Sequence, residues 1–229
     1  MSTENNCSKS KLAIRLVALI VAIGLYLVAF GVNQVKSDDV LDYFTDRTAA
    51  VYKSSNPLLS GVNFSFVTTT LFQPLGEKST IVRTDTSSAR MYFSFGELDS
   101  TQILIGEENY FNDSLFWASN IFTCDYSFDF FPNDIGGAYV AIGFDTDSAY
   151  ATKPIGIAQV DRDRYFLHRL FLYYPNRTKH ECFSRQINFG LVDSYLFPDS
   201  IIETGAKAGV FIAEYFRRTI IIKEIIINH

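Results

Sequence analysis

The sequence predicts an all-β domain, mainly antiparallel, behind one N-terminal transmembrane or signal helix. Three observations carry this. The run Leu16–Val32 holds no charged residue and follows Lys9, Lys11 and Arg15, the pattern of an export signal or membrane anchor. The remaining chain is rich in strand formers, with 21 Phe and 13 Tyr and frequent β-branched residues. Its apolar segments are short and punctuated by Gly, Asp, Asn and Pro.

The leader comes first. As a helix at ~1.5 Å per residue, Leu16–Val32 spans about 25 Å, a little less than a ~30 Å hydrocarbon core. It is apolar all round, unlike the single stripe of a core helix. Two readings remain open. In one, residues 1–15 stay cytosolic, 16–32 anchor the chain as a single pass, and the C-terminal part is lumenal or extracellular. In the other, the leader is cleaved near Ala29-Phe30-Gly31 and the product is secreted. Residues 33–47 read as a polar, acidic stalk and 48–229 as the β-rich domain.

Export sets the covalent chemistry. Asn63-Phe64-Ser65, Asn112-Asp113-Ser114 and Asn176-Arg177-Thr178 are glycosylation sequons. Cys124 and Cys182 are the only cysteines beyond the leader. An oxidising compartment would pair them, stabilising the fold by about 4 kcal/mol; two buried free thiols are the alternative. Cys7 stays cytosolic or leaves with the leader. A net charge of −5 and a pI of about 5.2, with no basic patch beyond Arg217-Arg218 and scattered arginines, exclude a nucleic-acid footprint. No repeat or low-complexity tract is evident.

Along the domain, Val62–Leu71 places Val62, Phe64 and Phe66 on one face. Arg90–Phe95 runs into Gly96, and Thr101–Ile105 restarts after an acidic turn, Glu97-Leu98-Asp99-Ser100, which predicts a hairpin. Gly137–Phe144, Tyr165–Tyr174 and Gln186–Phe189 are further strands. Thr219–Asn228 reads as two short strands joined by a turn at Lys223-Glu224. Helical signals are sparse: a turn or two within Asp39–Ala50, and an uncapped stretch at Gly205–Tyr215. A sandwich, a barrel or an orthogonally packed lobe is expected.

Several landmarks together resemble the pepsin-like aspartic proteases, as one degenerate N-terminal-like lobe over about Thr48 to Asn228. Phe95-Gly96 resembles the aromatic-Gly pair of the flap hairpin. Phe72-Gln73-Pro74 and Ser79-Thr80 are similar to the approach to it. Tyr139–Phe144 resembles the strand supporting the active-site loop, and Ile187–Ser194 a later Gly-Gly-x-Asp turn. Tyr215-Phe216 and the isoleucine-rich segment resemble the entry to the interdomain sheet. The chemistry is missing, however. Aspartic proteolysis needs two carboxylates sharing a proton, and the Asp-Thr-Gly-Ser-Ser-Asn position falls on Val51-Tyr52-Lys53-Ser54-Ser55-Asn56.

A second register matches Phe144-Asp145-Thr146-Asp147-Ser148 to the catalytic string, with Asp147 where Gly is needed. Asp145 is therefore the one weak catalytic candidate, and an exposed acidic turn is the plainer reading. Glu203-Thr204-Gly205 also reads as a turn.

Other chemistry is not legible. His168, His180 and His229 lack metal spacing, no phosphate loop or Gly-x-Ser-x-Gly element occurs, and no cofactor is implied. The resemblance implies a non-catalytic domain binding a peptide or protein through an inherited cleft, with Tyr110, Phe111, Phe116 and Trp117 as candidate lining. Two alternatives stand beside it. One is an endopeptidase active only as a dimer, each copy contributing Asp145. The other is an unrelated adhesive or structural ectodomain. The sequence leaves the oligomeric state open.

Overall fold

The computed structural model describes residues 39–106, 121–122, 126–131, 137–146, 153–175, 182–207 and 214–228. The chain divides into two compact units, 1–43 and 44–229; of the first, only the opening helical residues 39–43 are described. The account below concerns the second.

Ten strands form one antiparallel sheet: β1 (Asn63–Pro74), β2 (Asp85–Ser94), β3 (Glu97–Ile105), β4 (Ser127–Phe130), β5 (Tyr139–Asp145), β6 (Ile155–Asp161), β7 (Leu167–Tyr173), β8 (Cys182–Val192), β9 (Tyr195–Lys207) and β10 (Glu214–Asn228). Their order is β3-β2-β1-β10-β9-β8-β7-β6-β5-β4. Two meanders, β1–β3 and β4–β10, are therefore fused along a single seam, β1 against β10. The seam is long, from Asn63 opposite Asn228 to Pro74 opposite Phe216.

Alternation along each strand separates two faces. On the core face one row crosses nine strands as Phe130, Ile142, Ala158, Leu170, Ile187, Ile201, Ile220, Thr70 and Ser87. Most of these side chains are fully buried. Phe64, Phe66 and Phe93 stack beside the row, with centroids of Phe64 and Phe93 4.5 Å apart, and Phe197 meets Phe64 edge-on at 5.3 Å.

A helix, α1, covers residues 39–55. Its positions 44, 48, 52 and 55 form one stripe: Phe44, Thr48, Tyr52 and Ser55 are all buried. Phe44 packs on Phe130 and Tyr165, and Tyr52 on Phe122. The two buried hydroxyls donate to carbonyls four residues back, Thr48 to Phe44 at 2.8 Å and Ser55 to Val51 at 2.7 Å, so the polar residues cost little inside the core. Burial holds the Tyr52 phenol above its ordinary range, partly offset by a hydrogen bond with Asn56. A second helix, α2 (Pro57–Ser60), follows at once. Asn56 caps it by accepting from the Leu58 N–H at 3.0 Å, Pro57 opens it, and Gly61 closes it at φ 68°.

The all-β antiparallel expectation holds, and several finer expectations are corrected. The architecture is one open sheet, neither a sandwich nor a closed barrel. It is not a pepsin-like lobe: Val51–Asn56, aligned above with the catalytic loop, is the end of α1 and the cap of α2. Ser54-Ser55-Asn56 is there for helix termination, which favours the same small polar residues. The β2–β3 turn falls on Phe95-Gly96, both at positive φ, and Glu97–Ser100 is strand. Two-residue hairpin loops need that geometry to match strand twist. Thr219–Asn228 is one continuous strand; a bulge at Glu224-Ile225, just after Lys223 and with Glu224 at φ 52°, stands where a turn was expected. Gly205–Tyr215 contributes strand at both described ends rather than helix. No described helix is long and apolar enough to cross a membrane, and Leu16–Val32 lies outside the described residues.

The hairpin tip is held closely. A Cβ on Gly96 would run into the Leu58 carbonyl, and the Phe95 N–H donates to Asn63 Oδ1 at 3.0 Å. Phe95 is 79% exposed and occupies the left-handed region at φ 53°, where a bulky residue is strained. Phe95→Asn is therefore expected to stabilise the fold by about 1 kcal/mol. Gly96→Ala should destabilise it by at least as much, both read from urea denaturation midpoints. The Tyr52 shift gives a second expectation. A phenol whose folded pKa is raised contributes stability that is complete below the unfolded value of 10.0 and is lost as pH rises beyond it. Stability should fall above that pH, and Tyr52→Phe should shallow the fall in pH-dependent thermal melts.

Candidate functional site

Part of the β4–β9 half, chiefly β6 and β7, carries apolar side chains on both faces. In β7, Leu170 and Leu172 enter the core, so alternation turns Phe171 and Tyr173 outward. In β6, Ala158 and Val160 are buried, and Ile155 and Ile157 turn outward. The outer face of β1 and β2 is more polar, carrying Ser65, Thr69, Gln73, Ser88 and Arg90 with Val67, Leu71 and Tyr92 among them. A strand paired on both sides and apolar on both faces covers something on each face or leaves apolar surface open.

The register places the outward residues in rows. One row runs Asp129, Gly143, Ile157, Phe171, Gln186, Ile202 and Thr219 across β4 to β10. The next contains Ser127 opposite Asp145, then Ile155, Tyr173, Ser184 and Thr204. Between and over these rows lie two adjoining depressions of about 400 and 350 Å³ that share Gly156, Ile157 and Tyr173. Together they reach from β4 to β9, five interstrand steps or about 24 Å. Phe131 walls the β4 end. Gly156 sits where a Cβ would run into the Phe171 carbonyl and crowd the Phe144 ring.

Along one side the groove is bounded by a polar ladder. Arg169 Nε donates to Asn188 Oδ1 at 2.7 Å, Gln186 Nε2 donates to the same oxygen at 3.1 Å, and Asn188 Nδ2 donates to Ser200 Oγ at 2.8 Å. At the β8–β9 end the Ser184 and Thr204 hydroxyls are 2.7 Å apart. The groove is therefore apolar over β6 and β7, crosses Ser184 and Gln186 on β8, and meets Ile202 on β9.

Beneath it, on the core face, Glu203 of β9 bridges Arg185 of β8 at 2.7 Å and Arg218 of β10 at 3.1 Å. The Glu203 side chain is 1% exposed. Arg185 also donates to the Tyr174 hydroxyl at 3.1 Å, and Arg218 lies over the Phe216 ring. Arg218 Nε is buried without a hydrogen-bond partner among the described residues. Glu203 thus belongs to a strand and an ion triad; the turn expected at Glu203-Thr204-Gly205 is corrected.

Of the residues singled out from sequence, Asp145 lines the β4 end of the groove, while Phe95, Gly96 and Asn63 fall elsewhere. Asp145 ends β5, is exposed, and its Oδ1 accepts from the Thr146 N–H at 2.7 Å. Among the described residues its carboxylate has no other hydrogen bond. The protease dyad needs two acids held together out of bulk water, so neither a monomeric nor a dimeric aspartic endopeptidase is supported. Phe95 and Gly96 form the β2–β3 turn on the opposite half of the sheet, away from the groove. Asn63 is placed in β1; Asn112 and Asn176 lie outside the described residues, as do Cys124, the Cys182 side chain and Tyr110, Phe111, Phe116 and Trp117. No disulfide is found among the described residues. His168 stacks on Tyr139 with centroids 4.2 Å apart. Burial raises the neighbouring Asp199 carboxyl, partly offset by His168. Among the described residues no three His, Cys, Asp or Glu side chains gather to hold a metal.

No family model matches the chain, and no curated protein matches it. Among solved structures it is similar to a LolA superfamily protein from Nitrosomonas europaea, at 9% identity and a TM-score of 0.41, over 82% of this chain and 94% of that one. It is also similar to a domain assigned to outer membrane lipoprotein sorting from Vibrio parahaemolyticus, at 10% identity and 0.43, over 81% and 91%. A third is MucB in complex with MucA(peri), at 9% and 0.25, over 80% and 94%. The aspartic protease resemblance, and the peptide-binding pseudoenzyme it implied, are corrected. The single fused-meander sheet has the wrong topology for that family.

Removing one member of the triad leaves buried charge unpaired. Glu203→Ala is expected to cost about 3–5 kcal/mol, seen as a lowered midpoint in chemical denaturation. Thr204→Ala, its exposed neighbour, should cost less than about 0.5 kcal/mol.

Proposed function

We propose that this is a non-catalytic, exported binding protein that holds an extended apolar chain, such as a long acyl chain, in the outer-face groove. The carrying observation is the apolar strip over Ile155, Ile157, Phe171, Tyr173 and Ile202, on a face where a solvated sheet would present polar residues. Each methylene moved from water into such a strip contributes about 0.8 kcal/mol, so an acyl chain lying along about 24 Å would bind without any strong polar contact. The polar ladder beside the strip keeps the ligand to one track. Export is supported by the charge-free run Leu16–Val32 behind Lys9, Lys11 and Arg15. One similar solved structure is described as a lipoprotein-sorting domain; the groove carries this reading, and a likeness at that TM-score does not.

The test is direct binding of a fluorescent acyl-chain probe to the purified chain. Saturable binding is expected. Ile157→Asp, at the residue shared by both depressions, should weaken it at least about tenfold, a loss of about 1.4 kcal/mol. Ile202→Ser should weaken it less, with melting temperatures checked for both. Absence of saturable binding, or equal affinity in both variants and the parent, would overturn the reading.

A further inference from the structure

The two edges of the sheet differ. β4 closes one side with four residues, alternately exposed and half-buried. β3 closes the other with nine, and every one of them is exposed. Among the described residues nothing pairs with the outer side of β3. A row of backbone N–H and C=O groups therefore faces water along it, in the spacing that another strand would satisfy.

The apolar layer stops short at the same place. On β2, Ala89 and Met91 are buried, yet their cross-strand partners Ile103 and Thr101 are exposed. Ile103, Leu104 and Ile105 are 52%, 46% and 57% exposed in succession. Edge strands are ordinarily guarded by charge, proline, bulges or a covering element. The first half of β3 is guarded by Glu97, Asp99 and a bulge at Asp99. The second half, Thr101–Ile105, has neither charge nor proline, and its one irregularity is a bulge at Leu104.

We propose that this edge is where two copies of the chain meet, β3 against β3 about a twofold axis normal to the sheet. The distribution of charge selects this occupant and this direction. Antiparallel pairing centred on Ile103 sets Ile103 against its own copy, Gln102 against Leu104 and Thr101 against Ile105, all uncharged. Glu97 and Asp99 of the two copies then lie at opposite ends, beyond the overlap. Parallel pairing in register would set each acid beside its own copy, and like charges directly opposite are unfavourable. β4 is a poorer partner: it is shorter and carries Asp129 within its run. A β3–β4 contact is also head-to-tail and does not close on itself, whereas the twofold contact does. Across the proposed seam the core layer continues from Ala89 through Ile103 to Ile103 of the second copy. The groove, on the other half of the sheet, stays open in both copies.

One strand a side is a small contact beside the roughly 20–30 residues of a standard interface, so the association is weak and reversible. The experiment follows the full chain in mild detergent from about 1 to about 500 μM, a range that spans weak affinities, by sedimentation and by amide hydrogen exchange. The sedimenting mass should rise from one chain toward two, and exchange across residues 97–105 should slow in step with it. Ile103→Lys places on an exposed position the residue that natural edges use to block pairing. It should raise the dimer dissociation constant at least about tenfold with the melting temperature unchanged, and Leu104→Lys should do the same. Val82→Lys, 68% exposed in the β1–β2 connection, should leave association as it is. A chain that stays monomeric over the whole range overturns the proposal, as does association without slowed exchange at 97–105. A dimer that both β3 lysines leave intact, or that Val82→Lys disrupts equally, overturns it too. The acyl-probe assay of the groove is read separately, so either reading can fail without the other.

Discussion

The fold depends on the pairing of its first strand with its last. Among the described residues, β1, β2 and β3 pair with the remaining strands only through the seam with β10. That seam joins residues as far apart as Asn63 and Asn228, so the loop-closure cost is met only when nearly the whole chain is in place. The composition of the two strands fits the demand. β10 is rich in isoleucine, with Ile220 and Ile222 buried, and β1 supplies Phe64, Phe66 and Phe72. The one irregularity, the Glu224 bulge, is pinned across the sheet by an ion pair with Arg90 of β2. Position and twist are thereby specified where a slip of one residue would turn every apolar side chain outward.

The same seam explains how the two halves differ. β1 and β2 carry their large apolar side chains, Phe64, Phe66, Phe72, Met91 and Phe93, on the core face, and mostly polar or small ones on the other. The β4–β9 half, chiefly in β6 and β7, carries apolar side chains inside and outside. Its core face holds the buried Glu203 triad, which ties β8, β9 and β10 in one row and resists shear between them. Its outer face holds the groove. A rigid row of hydrogen-bonded strands below and an unsatisfied apolar strip above is a sound platform for holding a flexible chain, since the platform loses little entropy when the ligand arrives.

How much of this was legible in sequence varies by residue. The alternation of Val62, Phe64 and Phe66 was readable as one face of a strand, and the stretch Tyr165–Tyr174 as an apolar strand. What that apolarity was for could not be read, because periodicity does not say which of Leu170 and Phe171 faces the core until the neighbours are known. Ile157 and Ile202 escaped notice altogether; IGIAQVD and the long β9 carry glycines and acids that resemble turn chemistry. The protease landmarks misled for a related reason. Phe-Gly at a tight turn, Ser-Ser-Asn at a helix end and an apolar strand before an Asp are local solutions to local problems, and they recur wherever those problems do.

Composition and pattern by themselves determined the class of the chain: strand formers in short segments, a charge-free apolar run near the start, and a net negative charge without an electrostatic path to nucleic acid. These follow from side-chain shape, hydrophobicity and charge, which each residue carries wherever it is placed. Tertiary structure alone decided that the strands join as one sheet and that β3 is left at its edge. It also decided that Ile157, Phe171 and Ile202 line up across three strands. Those are facts of register and strand order, set by which long-range pairings bury the most apolar surface at once, and no single segment contains them.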